Sequence, residues 1–103
     1  MTVTFLMIAR IPEGGLGAFD AYEKSVLPLL ACHGGWLDRR VRSVDGRTEV
    51  HLISFESRDG FLAYRDDPRR RAAAPDFAAS GVQTELLDVV DLLKDGSDGA
   101  DSG

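Results

Sequence analysis

The apolar positions fall into six segments along the first 93 residues, and their spacing predicts strand, helix, strand, strand, helix, strand. From Thr2 to Ile11 the run alternates Phe5, Met7 and Ala9 with Leu6 and Ile8, so both faces of a first strand are apolar and both are expected to be covered. Pro12-Glu13-Gly14-Gly15 breaks it. Leu16, Phe19, Glu23, Val26, Leu27 and Leu30 then step by three and four, predicting a helix from Leu16 to His33 with a kink or restart at Pro28. One of those six positions, Glu23, is polar. Gly34-Gly35 ends the helix.

The middle of the chain carries the firmest local signal. Asp45-Gly46 lies between two extended runs and suits a tight turn, so residues 36–44 and 48–56 are predicted to pair as an antiparallel hairpin. Ser57 reads as the cap of a second helix, with Phe61, Leu62 and Tyr64 toward the sheet or its margin. Asp67-Pro68 reads as a break and a fresh helical start, closed by Pro75. A last strand is expected over Thr84–Leu93. A hairpin flanked on each side by one helix and one strand is the split β-α-β, or ferredoxin-like, α+β arrangement (βαββαβ): a four-stranded antiparallel sheet with its helices on one face. Its other face needs a cover. Leu6, Ile8, Val50 and Leu52 make that face apolar, and the expected cover is a second copy, a homodimer through the sheet.

Composition narrows the class. With 103 residues there is room for one domain, 1–93, and an acidic tail, 94–103, expected to be disordered. The formal charge is −5, of which Asp95, Asp98 and Asp101 against Lys94 supply −2, and the remaining −3 argues against a nucleic-acid partner. The longest apolar stretch, Phe5–Ala9, is far too short to span a bilayer, so no membrane partner is expected. No charged-then-apolar leader opens the chain, and Cys32 stands alone, so a reducing cytoplasm is the expected compartment.

His51 is the residue that most suggests chemistry. It alternates with Glu49, Ile53 and Phe55 on one face of the third strand, the face expected to lie under the helices. A histidine there titrates near neutrality and can move protons without a cofactor. The competing reading is a core histidine with one hydrogen bond and no role. Tyr64 and Tyr22 can present hydroxyls to the same cleft, where a phenol stabilises a developing oxyanion, or can simply wall it. Glu49 shares the His51 face about 7 Å along the strand. His33 precedes the glycines that end the first helix, where a cation suits the helix dipole. Neither histidine shows metal-ligand spacing, so no metal is expected. Arg65–Arg71 mixes charge signs as a solvated face does, with Arg70 able to guard the mouth of a cleft.

Phe19-x-x-Tyr22-Glu23, Val26-Leu27-Pro28-Leu29-Leu30, His33-Gly34-Gly35, the Asp45-Gly46 turn, Ser54-Phe55-Glu56-Ser57 and Asp67-Pro68 together resemble the dimeric α/β-barrel superfamily, most closely its small family called domain of unknown function 1330. The resemblance spans about residues 3–92. It implies two ferredoxin-like subunits whose sheets meet, each with a ligand cavity between sheet and helices. The superfamily holds polyketide cyclases, quinone-forming monooxygenases, lactone isomerases and haem-degrading enzymes, so the fold does not name the reaction. The quinone-forming members commonly carry a tryptophan where this chain has Phe55. A plant polyketide cyclase resembles Ser54–Pro68, with its cleft tyrosine on Tyr64, its essential histidine near Arg70 and a second histidine on Glu49. His33 is poorly placed as the ligand of a haem-degrading member.

These readings together predict a cofactor-independent cyclase or isomerase of a polyketide-like or other enolisable carbonyl compound. His51 is the expected base and Tyr64 the expected oxyanion partner, with Tyr22, Glu49, Phe5, Met7, Trp36, Phe55 and Arg70 around the substrate. The alternatives are a cofactor-free monooxygenase of an aromatic polyketide and a non-catalytic small-molecule-binding dimer.

Overall fold

A computed structural model describes residues 1–92. The predicted order is present: β1 (Val3–Arg10), α1 (Leu16–Val26), a 3₁₀ helix (Leu27–His33), β2 (Gly35–Arg42), β3 (Thr48–Phe55), α2 (Arg58–Arg65), α3 (Pro68–Ser80) and β4 (Gln83–Val89). The strands form one antiparallel sheet in the order β2-β3-β1-β4, with the two hairpin strands at one side and β1 between β3 and β4. The expected tail, 94–103, lies outside the described residues.

Local chemistry explains most boundaries. Pro28 has no N–H to offer an α-helix, and the first helix passes there into the tighter 3₁₀ form. Gly34, at φ +70°, ends it. In the hairpin turn Gly46 alone takes positive φ (+76°), while the Asp45 carboxylate accepts from Ser43 Oγ at 2.6 Å and from the Arg47 N–H at 2.9 Å. Ser57 caps α2 by accepting from the Gly60 N–H, and Asp67 caps α3 by accepting from the Arg69 N–H, with Pro68 in the first turn.

Two expectations are corrected. Pro75 does not close the third helix: it lies exposed inside α3, removing one hydrogen bond to a solvent-facing carbonyl, and the helix runs on to Ser80 before Gly81 (φ +68°) stops it. Leu62 does not face the sheet; it is exposed, whereas Phe61 and Tyr64 on the same helix are buried.

The sheet's inner face carries two apolar clusters. Phe5, Phe55, Phe61, Tyr64, Leu29 and Leu30 form one, with Phe5 stacked on Phe61 at 4.1 Å between ring centroids. Ala9, Ile11, Phe19 and Val82 form the other. The outer face presents Leu6, Ile8, Val50 and Leu52, half-buried, beside the more exposed Val41 and Leu87.

One irregularity matters for the site. Leu37 pairs with Ile53 but Arg39 pairs with Leu52, so β2 spends one more residue than β3 at Asp38. The bulge is held by its own side chain: Asp38 accepts from Trp36 Nε1 at 2.9 Å and from Ser54 Oγ at 2.5 Å. Beyond it, Arg40 pairs with His51 and Arg42 with Glu49, so both arginines lie on the inner face.

Candidate active site

β3 sets His51 and Glu49 two residues apart on the inner face, each only 1% exposed. α1 brings Glu23 onto them. His51 Nε2–H donates to Glu49 Oε2 at 2.5 Å, and Glu23 Oε2 lies 3.1 Å from the same nitrogen. Arg40 Nε donates to Glu49 Oε2 at 3.1 Å and its terminal nitrogen to Glu23 Oε1 at 2.8 Å. Arg42 Nε donates to Glu49 Oε1 at 2.7 Å, and its terminal nitrogen reaches Asp20 at 2.6 Å. Three carboxylates thus face two guanidinium groups and one imidazole. The set balances only when the imidazole is protonated.

The titration directions agree with that count. Burial alone would lower the His51 pKa, but hydrogen bonds and attraction from Glu23 and Glu49 outweigh it and hold the imidazolium above its ordinary range. Burial would raise Glu49, yet bonds to Glu23, His51, Arg42 and Arg40 bring it down to about 2. Glu23 moves the other way: burial pushes its pKa up, His51 opposes that, and the neighbouring Glu49 carboxylate adds to it. Of the two carboxylates touching His51, Glu23 is therefore the better proton acceptor.

Glu23, Glu49 and His51 are donor types that a metal ion accepts, and their ligand atoms lie within 4.8 Å of one another. All four carboxylate oxygens already meet Arg40, Arg42 or His51, so a cation would enter among existing cations. The arrangement fits an acid–base unit better than a metal site.

Glu23 and His51 form one wall of a cavity of about 300 Å³ between the sheet and the helices. Phe5, Met7, Ile53 and Phe55 floor it, Phe19 and Tyr22 come from α1, and Phe61, Tyr64, Arg70 and Phe77 from α2 and α3. Leu86 of β4 lines it yet stays 48% exposed, so the cavity is open along β4. On the far side of the network Asp20, Glu23, Lys24, Arg40, Arg42 and Glu49 line an open polar groove. Glu23 borders both spaces.

At the cavity's other end, Tyr64 donates weakly to the Val26 carbonyl at 3.4 Å, and burial, partly opposed by Arg70, pushes its pKa up to about 12. It stays a neutral phenol. Arg70 lies over the Tyr64 ring at 4.6 Å and donates to the Tyr22 hydroxyl at 2.9 Å.

Of the residues singled out in the sequence, His51, Tyr64, Tyr22, Phe5, Met7, Phe55 and Arg70 meet in this cavity, with Glu49 directly behind His51. Trp36 does not join them. It lies 42% exposed beside Ser54 on the opposite face of the sheet, tied to the Asp38 bulge. His33, at 2.8 Å, donates to Asp67 and so ties the 3₁₀ helix to the start of α3. Sequence reasoning passed over Glu23, Arg40, Arg42 and Asp20 as site residues. Only Glu23 had a signal, as the single polar residue in the apolar stripe of α1.

No protein-family model matches the chain, and no curated protein matches it. Solved structures do. SnoaB, a cofactor-independent oxygenase from Streptomyces nogalater, is 20% identical with a TM-score of 0.67, over 89% of this chain and 96% of that one. A candidate antibiotic biosynthesis monooxygenase from Nitrosomonas europaea is 13% identical with a TM-score of 0.73, over 88% and 90%. Rv0793 from Mycobacterium tuberculosis is 18% identical with a TM-score of 0.66, over 88% and 97%. These likenesses establish the ferredoxin-like fold of the antibiotic biosynthesis monooxygenase structures. The narrower resemblance to domain of unknown function 1330 rests on the residues quoted for it alone.

Proposed function

We propose that the chain is a cofactor-independent oxygenase of a phenolic or enolisable polycyclic aromatic compound, the second of the readings drawn from the sequence. The observation that carries it is the buried Glu23–His51–Glu49 unit facing an aromatic-lined cavity, an arrangement able to deprotonate an apolar substrate out of water. The fold's company with SnoaB and with monooxygenase candidates favours oxygenation over cyclisation by analogy.

In this reading Glu23 takes the acidic proton of the substrate, and the electron-rich anion reduces dioxygen. A ring methylene becomes a carbonyl, and its two hydrogens leave as water with the second oxygen atom. His51, charged at rest, stabilises the anion and returns a proton to the departing oxygen. In this reading His51 is the acid rather than the base expected from the sequence, because Glu23 and Glu49 make it hold its proton more firmly than an ordinary imidazole does. Tyr64 and Tyr22 offer neutral hydroxyls to the substrate oxygens, and the phenylalanines exclude water. A second copy on the outer sheet face, covering Leu6, Ile8, Val50 and Leu52, completes the assembly in this proposal.

The test is oxygen uptake with anthrone as the probe. The expected result is one dioxygen per anthrone, with anthraquinone as product, and a fall in kcat of about 10²–10³-fold for Glu23→Gln and His51→Ala. Cyclisation or isomerisation of a polyketide-like ketone with no oxygen uptake would replace this reading by the cyclase one, which the Phe55 position favours. No turnover of either compound by wild type, with His51→Ala lowering stability alone, would leave a binding protein.

A further inference from the structure

We infer that Arg70 is an anion-recognition residue, and that the cavity takes an aromatic compound bearing a carboxylate or phenolate. The inference rests on the reading of the cavity as a substrate site and names the substrate's charge. Three contacts fix the guanidinium: one terminal nitrogen donates to the Tyr22 hydroxyl at 2.9 Å, the other weakly to the Arg65 carbonyl at 3.4 Å, and its plane lies over the Tyr64 ring. The third nitrogen, Nε, is buried and its N–H has no acceptor. A buried donor left in that state is costly, and a cation makes it more so.

The other arginines of the site show what is missing. Arg40 and Arg42 each meet two carboxylates, whereas no ion pair to Arg70 exists among the described residues. Among the described residues the only carboxylate lining the cavity, Glu23, is already held by Arg40 and His51. Arg70 is thus a half-buried, positioned cation on an apolar cavity that supplies no counter-ion of its own. A ligand oxyanion would accept from Nε, gain a charge-assisted bond and leave its aromatic body among Phe5, Phe61 and Phe77.

Calorimetric titration with 2-naphthoate and its neutral counterpart 2-naphthamide tests this. Wild type is expected to bind the carboxylate at least tenfold more tightly than the amide. Arg70→Met should bring the two affinities within about twofold of each other, and Arg70→Lys, which keeps the charge but loses Nε, should retain part of the preference. Equal affinity of wild type for the two compounds, measured without any substitution, overturns the role of Arg70 and leaves the cavity standing. A preference that survives in a folded Arg70→Met protein overturns it as well. Binding of neither compound overturns the cavity reading and this inference together.

Discussion

β3 shows two kinds of interior on one face of one strand. At its C-terminal end Ile53 and Phe55 pack into aromatic side chains from β1 and α2, and burial of apolar area does the stabilising. At its N-terminal end Glu49 and His51 are buried as deeply, but among charges, where stability depends on every partner being present. The first region tolerates polarity nowhere, the second tolerates loss nowhere, and the cavity lies where they meet. Dry packing around an intact charge set is what gives a proton-moving group both a fixed position and an unusual pKa.

Substitutions at the two ends should separate these regimes. Phe55→Ala removes a ring in contact with Phe5, Phe61 and Tyr64, and a loss of about 3–5 kcal/mol is expected in denaturant unfolding. Glu49→Gln keeps the volume but strips the common partner of His51, Arg40 and Arg42. A loss of about 3 kcal/mol is expected, at the low end for a broken buried pair because both arginines still reach water.

The pH profile sharpens the contrast further. Glu49 is depressed, so its contribution is present above its ordinary value of 4.5 and is lost as pH falls toward about 2. His51 is raised, so its contribution is present below 6.5 and is lost as pH climbs through the raised value. Melting temperature should therefore peak between those two ordinary values in wild type. Glu49→Gln should flatten both limbs, while Phe55→Ala should lower the whole curve without reshaping it.

The smallest effect on the single chain belongs to the outer face, where Leu52→Asp is expected to cost about 1 kcal/mol. Its larger consequence lies in assembly. Light scattering should give twice the chain mass for wild type and the chain mass for the variant; a monomeric wild type would refute the proposed second copy.

Much of this arrangement is written in local sequence. Asp45-Gly46, Ser57, Asp67-Pro68 and Gly34 announce their turns and caps through short-range chemistry, and the inner face of β3 follows from simple alternation. Pro75 misled because an exposed proline can be carried by a helix whose lost bond faces water. Glu23 was visible as an oddity without a reason, since its partners come from another element. Arg40 and Arg42 were not legible at all. Strict alternation puts them on the face of Trp36, and the extra residue at Asp38 moves them to the opposite one.

That extra residue makes the irregularity of β2 a functional property. Asp38 acts as a spacer between two reading phases: Trp36 belongs to the outer surface, Arg40 and Arg42 to the interior, and Val41 is released to the outside. A change of identity at position 38 alters two hydrogen bonds. Straightening the bulge with every residue kept would rotate everything after it, delivering Val41 to the carboxylates and both guanidinium groups to the apolar exterior, whereas deleting Asp38 would leave Arg39 opposite Leu52 and Arg40 opposite His51. Divergent descendants of this chain are thus free to drop residue 38, but as long as they keep it they are bound to keep the bulge.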